Sequence, residues 1–185
     1  MDGTAPRCRE TTEVHMEDYG VTGARVDLEV TVDLPPDRVW ELITSVSRIG
    51  DWSPECRFEG WVGDDGPVLP GTRFEARNRR GDMEWTVTCE VTEAERPTTF
   101  AWEVLDPKGD PDAPSSRWRY DLRPGDTPGQ TVVRHSFEHG GGHSGLRDII
   151  ARDPEHASAI LAGRLQELRA HMTQTLAAMA LTPAS

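Results

Sequence analysis

Toward the C-terminal end, Ile160, Leu161, Leu165, Leu168, Met172, Leu176 and Met179 recur at steps of three and four residues. That spacing gathers them into one apolar stripe and predicts a helix over 154–179. Asp153 suits the N-cap, Pro154 the first helical position, and Glu155 adds negative charge to the first turn. Arg164, Glu167, Arg169 and Gln174 fall largely off the stripe. Such a helix is ~39 Å long, enough to cross a small domain. A stripe that long needs a broad apolar cover.

Upstream the period changes to two. Val26, Leu28, Val30 and Val32 alternate with Asp27, Glu29, Thr31 and Asp33, a half-buried strand. Pro35 and Pro36 stop it and open a helix carrying Val39, Leu42, Ile43 and Val46. A short helical turn then runs into a loop over 49–56. Strands follow: a short one over 58–61, then 72–78 with Phe74, Ala76 and Asn78 on one face. Three more present Trp85, Val87, Cys89 and Val91, then Phe100, Trp102 and Val104, then Trp118, Tyr120 and Leu122. The last presents Thr131, Val133, His135 and Phe137, and its polar partners Arg134, Ser136 and Glu138 decide that His135 points inward. Turns are expected at 63–67, 79–82, 96–97 and 124–129, with a Pro- and Asp-rich loop over 106–115. Gly140, Gly141 and Gly142 end the sheet, and Ser144 caps a short helix through Leu146, Ile149 and Ile150.

Composition narrows the partners. The chain has 185 residues, 20 Lys plus Arg against 32 Asp plus Glu, and a formal charge of −12. That length favours one domain, read as 24–181 after a polar N-terminal extension over 1–23, a tail or loosely attached arm, with His15 and Tyr19 as the residues of an ordered lid in the alternative. The acidic surface argues against nucleic acid and anionic membranes as partners. Three cysteines at unrelated spacings, Cys8, Cys56 and Cys89, suggest neither a disulfide framework nor a zinc site. No signal-peptide core or membrane span is read, so a cytoplasmic protein, monomer or homodimer, is expected.

The ordered set of motifs carries a resemblance. Its carriers are the opening strand followed by Pro35-Pro36-Asp37-Arg38-Val39-Trp40, the Ile49-Gly50-Asp51-Trp52 turn, and Pro70-Gly71-Thr72-Arg73-Phe74. The Arg77-Asn78-Arg79-Arg80-Gly81 hairpin, the strand from Arg96 to Trp102 and the closing helix complete it. Over 25–179 the chain resembles the START-like, or helix-grip, superfamily, also called SRPBCC, which includes polyketide cyclases and birch-pollen-allergen-like proteins. The resemblance implies an α+β fold: a curved antiparallel sheet of about seven strands wrapped around the long C-terminal helix, two short helices after the first strand, and an apolar cavity between sheet and helix. It does not fix a reaction, because one fold hosts binders, carriers and enzymes.

Given such a cavity, the ring-bearing inward face suits a flat apolar ligand. Phe74, Trp85, Trp102, Trp118 and Phe137 are its expected lining, with Trp52 and Trp61 at one end. Ordinary core packing is the competing account of the same rings. The polar groups on that face are few: His135, able to exchange a proton near neutral pH, Tyr120, able to donate to a carbonyl or enolate oxygen, and Asn78, able to orient one. These three are the catalytic candidates. Asp51, Glu55 and Arg57 stand near the short helices, as solvated charges or as contacts to a polar ligand end. His135, His139, His143 and His156 invite a metal reading that is not the first choice: His135 and His139, four apart on a strand, are ~13 Å apart, and His139 and His143, which could approach each other across the triple glycine, have no carboxylate or cysteine pattern to complete a shell. No phosphate-binding loop or nucleophile elbow is present.

Three functions compete. One is a cyclase, aromatase or dehydratase of biosynthetic metabolism that uses acid–base chemistry and no cofactor on a small, largely apolar substrate. The second is a non-catalytic carrier of a lipid or hydrophobic metabolite. The third, a protein-partner role, needs an exposed apolar patch of which the sequence gives no sign. The inward His–Tyr–Asn set tilts the reading toward the enzyme.

Overall fold

The computed structural model describes residues 17–63, 67–107 and 112–183. Seven strands form one antiparallel sheet: β1 (Arg25–Val32), β2 (Cys56–Val62), β3 (Arg73–Arg80), β4 (Met83–Glu95), β5 (Thr99–Val104), β6 (Ser116–Pro124) and β7 (Thr131–His139). Their order is β1-β7-β6-β5-β4-β3-β2. Strands β2 to β7 follow one another as a meander, and β1 returns to pair with β7 from Arg25 opposite Glu138 to Val32 opposite Thr131. Consecutive strands β1 and β2 therefore lie on opposite edges. Helix α1 (Pro36–Thr44) and a 3₁₀ turn over Val46–Asp51 carry the chain between them.

Register shifts bend the sheet. One lies between Phe58 and Gly60 on β2, another between Val91 and Glu93 on β4. An extra residue on one strand raises local twist and curvature. At the hairpin of β3 and β4, Arg80 faces Met83 across Gly81 and Asp82, and Gly81 adopts a positive φ of 59° that suits glycine.

The long helix, α3 (Ala157–Ala180), lies in the concave side, with α2 (Gly145–Arg152) before it. Leu168 and Met172 pack with Val26 and Phe137. Leu176 and Met179 join Val39, Leu42 and Ile43 of α1. The helix starts later than the pattern predicts, because Pro154–His156 forms a 3₁₀ turn. Asp153 caps no backbone group there; its carboxylate meets the His156 ring at 2.8 Å. Ser144 does cap α2, accepting from the Arg147 amide. Of the predicted stripe, Leu168, Met172, Leu176 and Met179 are buried, while Ile160, Leu161 and Leu165 are half-buried.

The N-terminal extension needs a correction over its described part. Val21 is buried with Leu146, Ile150 and Ala157, and Tyr19 packs on the same cluster. Arg147 holds the segment down: its guanidinium donates to the carbonyls of Gly140 and Gly142, to Asp18 and to the Thr22 hydroxyl. Asp18 is lowered to about 2, chiefly by that Arg147 bond. Residues 1–16, including His15, lie outside the described residues, as do 64–66 of the expected turn and 108–111 of the expected loop.

The convex face explains the charged alternation. Cross-strand pairs line it, among them Arg134 with Asp27, Arg123 with Glu29, Arg117 with Glu103 and Arg77 with Glu59. Arg25 first, then Arg134 and Ser136, hold the Asp27 carboxyl well below the usual range. Exposed pairs of this kind contribute about 0–1 kcal/mol each, so they order the surface more than they stabilise it. Among the described residues no helix is long and apolar enough to cross a membrane.

Candidate functional site

Strand alternation brings five of the predicted residues together on the concave face. Tyr120 and His135 are cross-strand partners on β6 and β7, as are Trp118 and Phe137 two residues away. Trp102 on β5 pairs with Trp118. The Trp102 and Trp118 planes are 1° from parallel with centroids 5.8 Å apart, and Phe137 meets Trp118 edge-on at 4.7 Å. His135 stacks on Tyr120 at 3.9 Å, with Trp118 5.7 Å away.

The other predicted residues go elsewhere. Phe74 and Trp61 form a second ring cluster with Phe58 at the β2–β3 edge. Trp52 donates its indole N–H to the Thr182 hydroxyl at 2.9 Å and lies under the Arg48 guanidinium. Trp85 stands at the open end of the sheet, 37% exposed. Asn78 shares its row with Cys56 and Trp85, and it makes no hydrogen bond to His135 or Tyr120.

Space is tighter than the implied cavity. An apolar void between sheet and helices measures about 10 Å³ and is lined by Val32, Leu34, Val39 and Met179 among others, with none of the predicted rings. That volume is on the scale of a single water probe. The rings instead pack on one another. Access lies along a strip of the concave face, where Val87, Val104, Trp102 and Trp118 remain half-buried although they point inward. Leu161 and Leu165 of α3 are half-buried too.

The electrostatics centre on His135. It is 3% exposed, and neither ring nitrogen has a hydrogen-bond partner. Burial pulls its pKa down to about 3, so the ring is neutral at pH 7. Burial likewise pushes the Tyr120 phenol up, with a smaller contribution from Cys56. The Cys56 thiol is pushed up to about 12 by its own burial, and Cys89 is raised for the same reason, so neither is a nucleophile. Unpaired buried nitrogens are rare in folded proteins and call for a partner. A neutral imidazole offers a ligand one N–H donor and one nitrogen acceptor.

Two features escaped the sequence pattern. His139, 6% exposed at the inward end of β7, also has both ring nitrogens unpaired. Glu55, expected as a solvated charge or as a contact to a polar ligand end, has a nearly buried side chain. It accepts a bidentate pair from Arg164 at 2.6 and 2.9 Å and a bond from His171 Nδ1 at 2.9 Å. Arg164 also reaches Glu167, which pairs with Arg80. This clasp joins the entry to β2 and the end of β3 to α3. Nothing local signals it, because Glu55 and Arg164 are 109 residues apart. Among the described residues no group of three or more His, Cys, Asp or Glu side chains is placed to hold a metal ion.

A sequence profile described as "Polyketide cyclase / dehydrase and lipid transport" matches residues 23–176. The chain belongs to that family. No curated protein matches it by sequence. Among solved structures, the Polyketide_cyc-like protein Cgl2372 of Corynebacterium glutamicum is similar at 24% identity and a TM-score of 0.59, covering 85% of this chain and 89% of its own. Protein MLL2253 of Mesorhizobium loti follows at 18% identity and 0.54, over 85% and 94%. The di-domain ARO/CYC BexL of the BE-7585A biosynthetic pathway is similar at 14% identity and 0.55, over 85% of this chain and 45% of that one. These likenesses share the helix-grip fold with this family member and leave its ligand open to the site's own chemistry.

Proposed function

We propose that the protein binds a flat, largely apolar, oxygen-bearing molecule against the half-buried rings of Trp102 and Trp118. On this reading, His135 and Tyr120 act on a ligand carbonyl in cyclase- or dehydratase-type chemistry. The observation that carries the reading is His135, buried beside Tyr120 with two unpaired nitrogens. Its lowered pKa changes the role expected of it. A group that protonates only near pH 3 is a poor base at neutral pH but a good neutral hydrogen-bond donor to a developing enolate oxygen. His135 is therefore the polarising group, Tyr120 a second donor, and the ring face the template that folds the chain for intramolecular attack.

A second reading, carriage without reaction, is favoured by one observation: among the described residues no carboxylate bonds to His135, so no built general base accompanies it. Incubation with a linear poly-β-ketone thioester, followed by chromatography, separates the two. Faster formation of a single cyclised product, lost in His135→Phe, supports catalysis. Tryptophan quenching with an unchanged product mixture supports carriage. Neither response defeats both.

A further inference from the structure

At the open end of the sheet, two of the expected site residues meet in a row of their own. Asn78 on β3 and Trp85 on β4 are cross-strand partners, and Cys56 on β2 completes the row. Side chains so paired stand about 5 Å apart on one face. Alternation turns Trp85 inward, yet it is 37% exposed, and Met83, nearer the hairpin on the same face, is 49% exposed. Two large apolar side chains left open side by side mark a contact surface rather than core. Asn78 is half-buried, and its side-chain amide bonds to none of the described residues. That amide offers two donors and an acceptor. The charges beside the row are already matched. Arg80, next inward position on β3, pairs with Glu167 at 2.7 Å. Glu55, adjoining Cys56, is taken by Arg164 at 2.6 Å and by the His171 ring.

We infer that this row receives an uncharged sugar ring carried at the outer end of the ligand, with Trp85 under its C–H face and Asn78 bonded to the hydroxyls on its edge. This deepens the binding reading above and rests on it. The paired ions leave no unmatched charge to attract a carboxylate or an ammonium head. A purely apolar head covers Trp85 but strips water from the Asn78 amide and returns nothing. A pyranose answers both groups. Its faces carry C–H groups that suit the negative face of an aromatic ring, and its rim carries hydroxyls that donate and accept. The register also sets a length. Val91, the cross-strand partner of Trp102, lies ~20 Å from Trp85 along β4. Half-buried Val87 and Val104 stand between. The indoles and the sugar take up part of that distance, so the apolar body joining them is on the order of 10 Å long, two linked aromatic rings.

The test uses three probes on the full chain: para-methoxybiphenyl, para-cyclohexyloxybiphenyl and the para-O-β-glucoside of biphenyl. Affinity is read by calorimetry, and Asn78 and Trp85 by ¹⁵N NMR of their side-chain N–H groups. The glucoside is expected to bind about tenfold more tightly than the cyclohexyl ether, which matches its bulk without the hydroxyls, and to shift both signals. Asn78→Ala should bring those two affinities together, and Trp85→Ala should weaken both. Backbone amide spectra check that each variant is folded. Equal affinities for the glucoside and the cyclohexyl ether, an Asn78 signal that stays in place, or a tenfold ratio that survives Asn78→Ala overturns the sugar subsite and leaves the binding reading standing. No binding of any probe, with the indole signals of Trp102 and Trp118 unmoved, overturns the two together.

Discussion

His135 lies flat against Tyr120, ring centroids 3.9 Å apart and planes 18° from parallel, with its nitrogens unbonded in the interior. Burial lowers His135 to about 3 and, helped by the charges of Arg147 and Arg164, His139 to about 4. In the unfolded chain both titrate near 6.5. Between that value and the folded ones, the unfolded state binds more protons, so acid favours unfolding. Stability is expected to be insensitive to these two groups above pH 7. It should fall by about 1.4 kcal/mol per pH unit for each histidine as pH drops from 6 toward 4. Urea melts across that range check the slope, and His135→Phe should halve it. A His135 or His139 ¹⁵N signal that titrates near 6.5 in the folded protein would contradict the burial argument.

Glu55 and Arg164 form a nearly buried ion pair between the entry to β2 and α3. Removing one partner strands the other's charge in a place with little water. Glu55→Gln is expected to cost about 3 kcal/mol, more than any single pair on the convex face, where substitution costs under about 1 kcal/mol. Arg134→Gln is the comparison. A cycle with Arg164→Leu should show coupling above about 1 kcal/mol by chemical denaturation. Additive losses would mean that the clasp does not act as a unit.

Arg147 spends its donors on two glycine carbonyls, an aspartate and a threonine. Lysine keeps the charge but cannot reproduce that fork. Arg147→Lys is expected to cost about 2 kcal/mol and to expose residues 17–23 to hydrogen exchange, while the β4–β6 amides stay protected. Unchanged exchange at Val21 would show that its apolar contacts alone hold the segment.

Glycine substitutions separate close packing from mere flexibility. A Cβ on Gly140 would stand 1.8 Å from the Pro114 carbonyl oxygen, and one on Gly142 2.1 Å from that of Ala113. Backbone cannot yield by that much, so Gly140→Ala should abolish soluble expression. Gly163, in the middle of α3, has nothing within 4 Å of such a Cβ. Gly163→Ala should raise stability by about 0.5–1 kcal/mol through helix propensity alone. Thermal melts of the two variants make the comparison.

The strands were legible because their period is two and each inward position is apolar. The parity of Arg134, Ser136 and Glu138 placed His135 inside, and burial agrees. The start of α3 was less legible: Asp153-Pro154-Glu155 reads as a cap, yet Asp153 prefers the His156 ring and the chain makes a 3₁₀ turn first. The grouping of rings was only half legible. Alternation says which way a side chain points, not which row it occupies. Alternation alone therefore joins Asn78 to His135 and Tyr120, whereas β3 register aligns it with Cys56 and Trp85. The burial of Glu55 depends on β2 meeting α3, and Val21 was lost in a polar stretch with no periodicity to mark it.

The pairing of the first strand with the last has a consequence for synthesis. As the polypeptide leaves the ribosome, β1 appears early, but its hydrogen-bonding partner β7 is translated about a hundred residues later. Until then one edge of β1 has nothing to bond, and the meander from β2 to β6 can zip up without it. The acidic side chains of Asp27, Glu29 and Asp33 alternate along that waiting segment, and their mutual repulsion discourages nascent copies from pairing with each other before the sheet is complete.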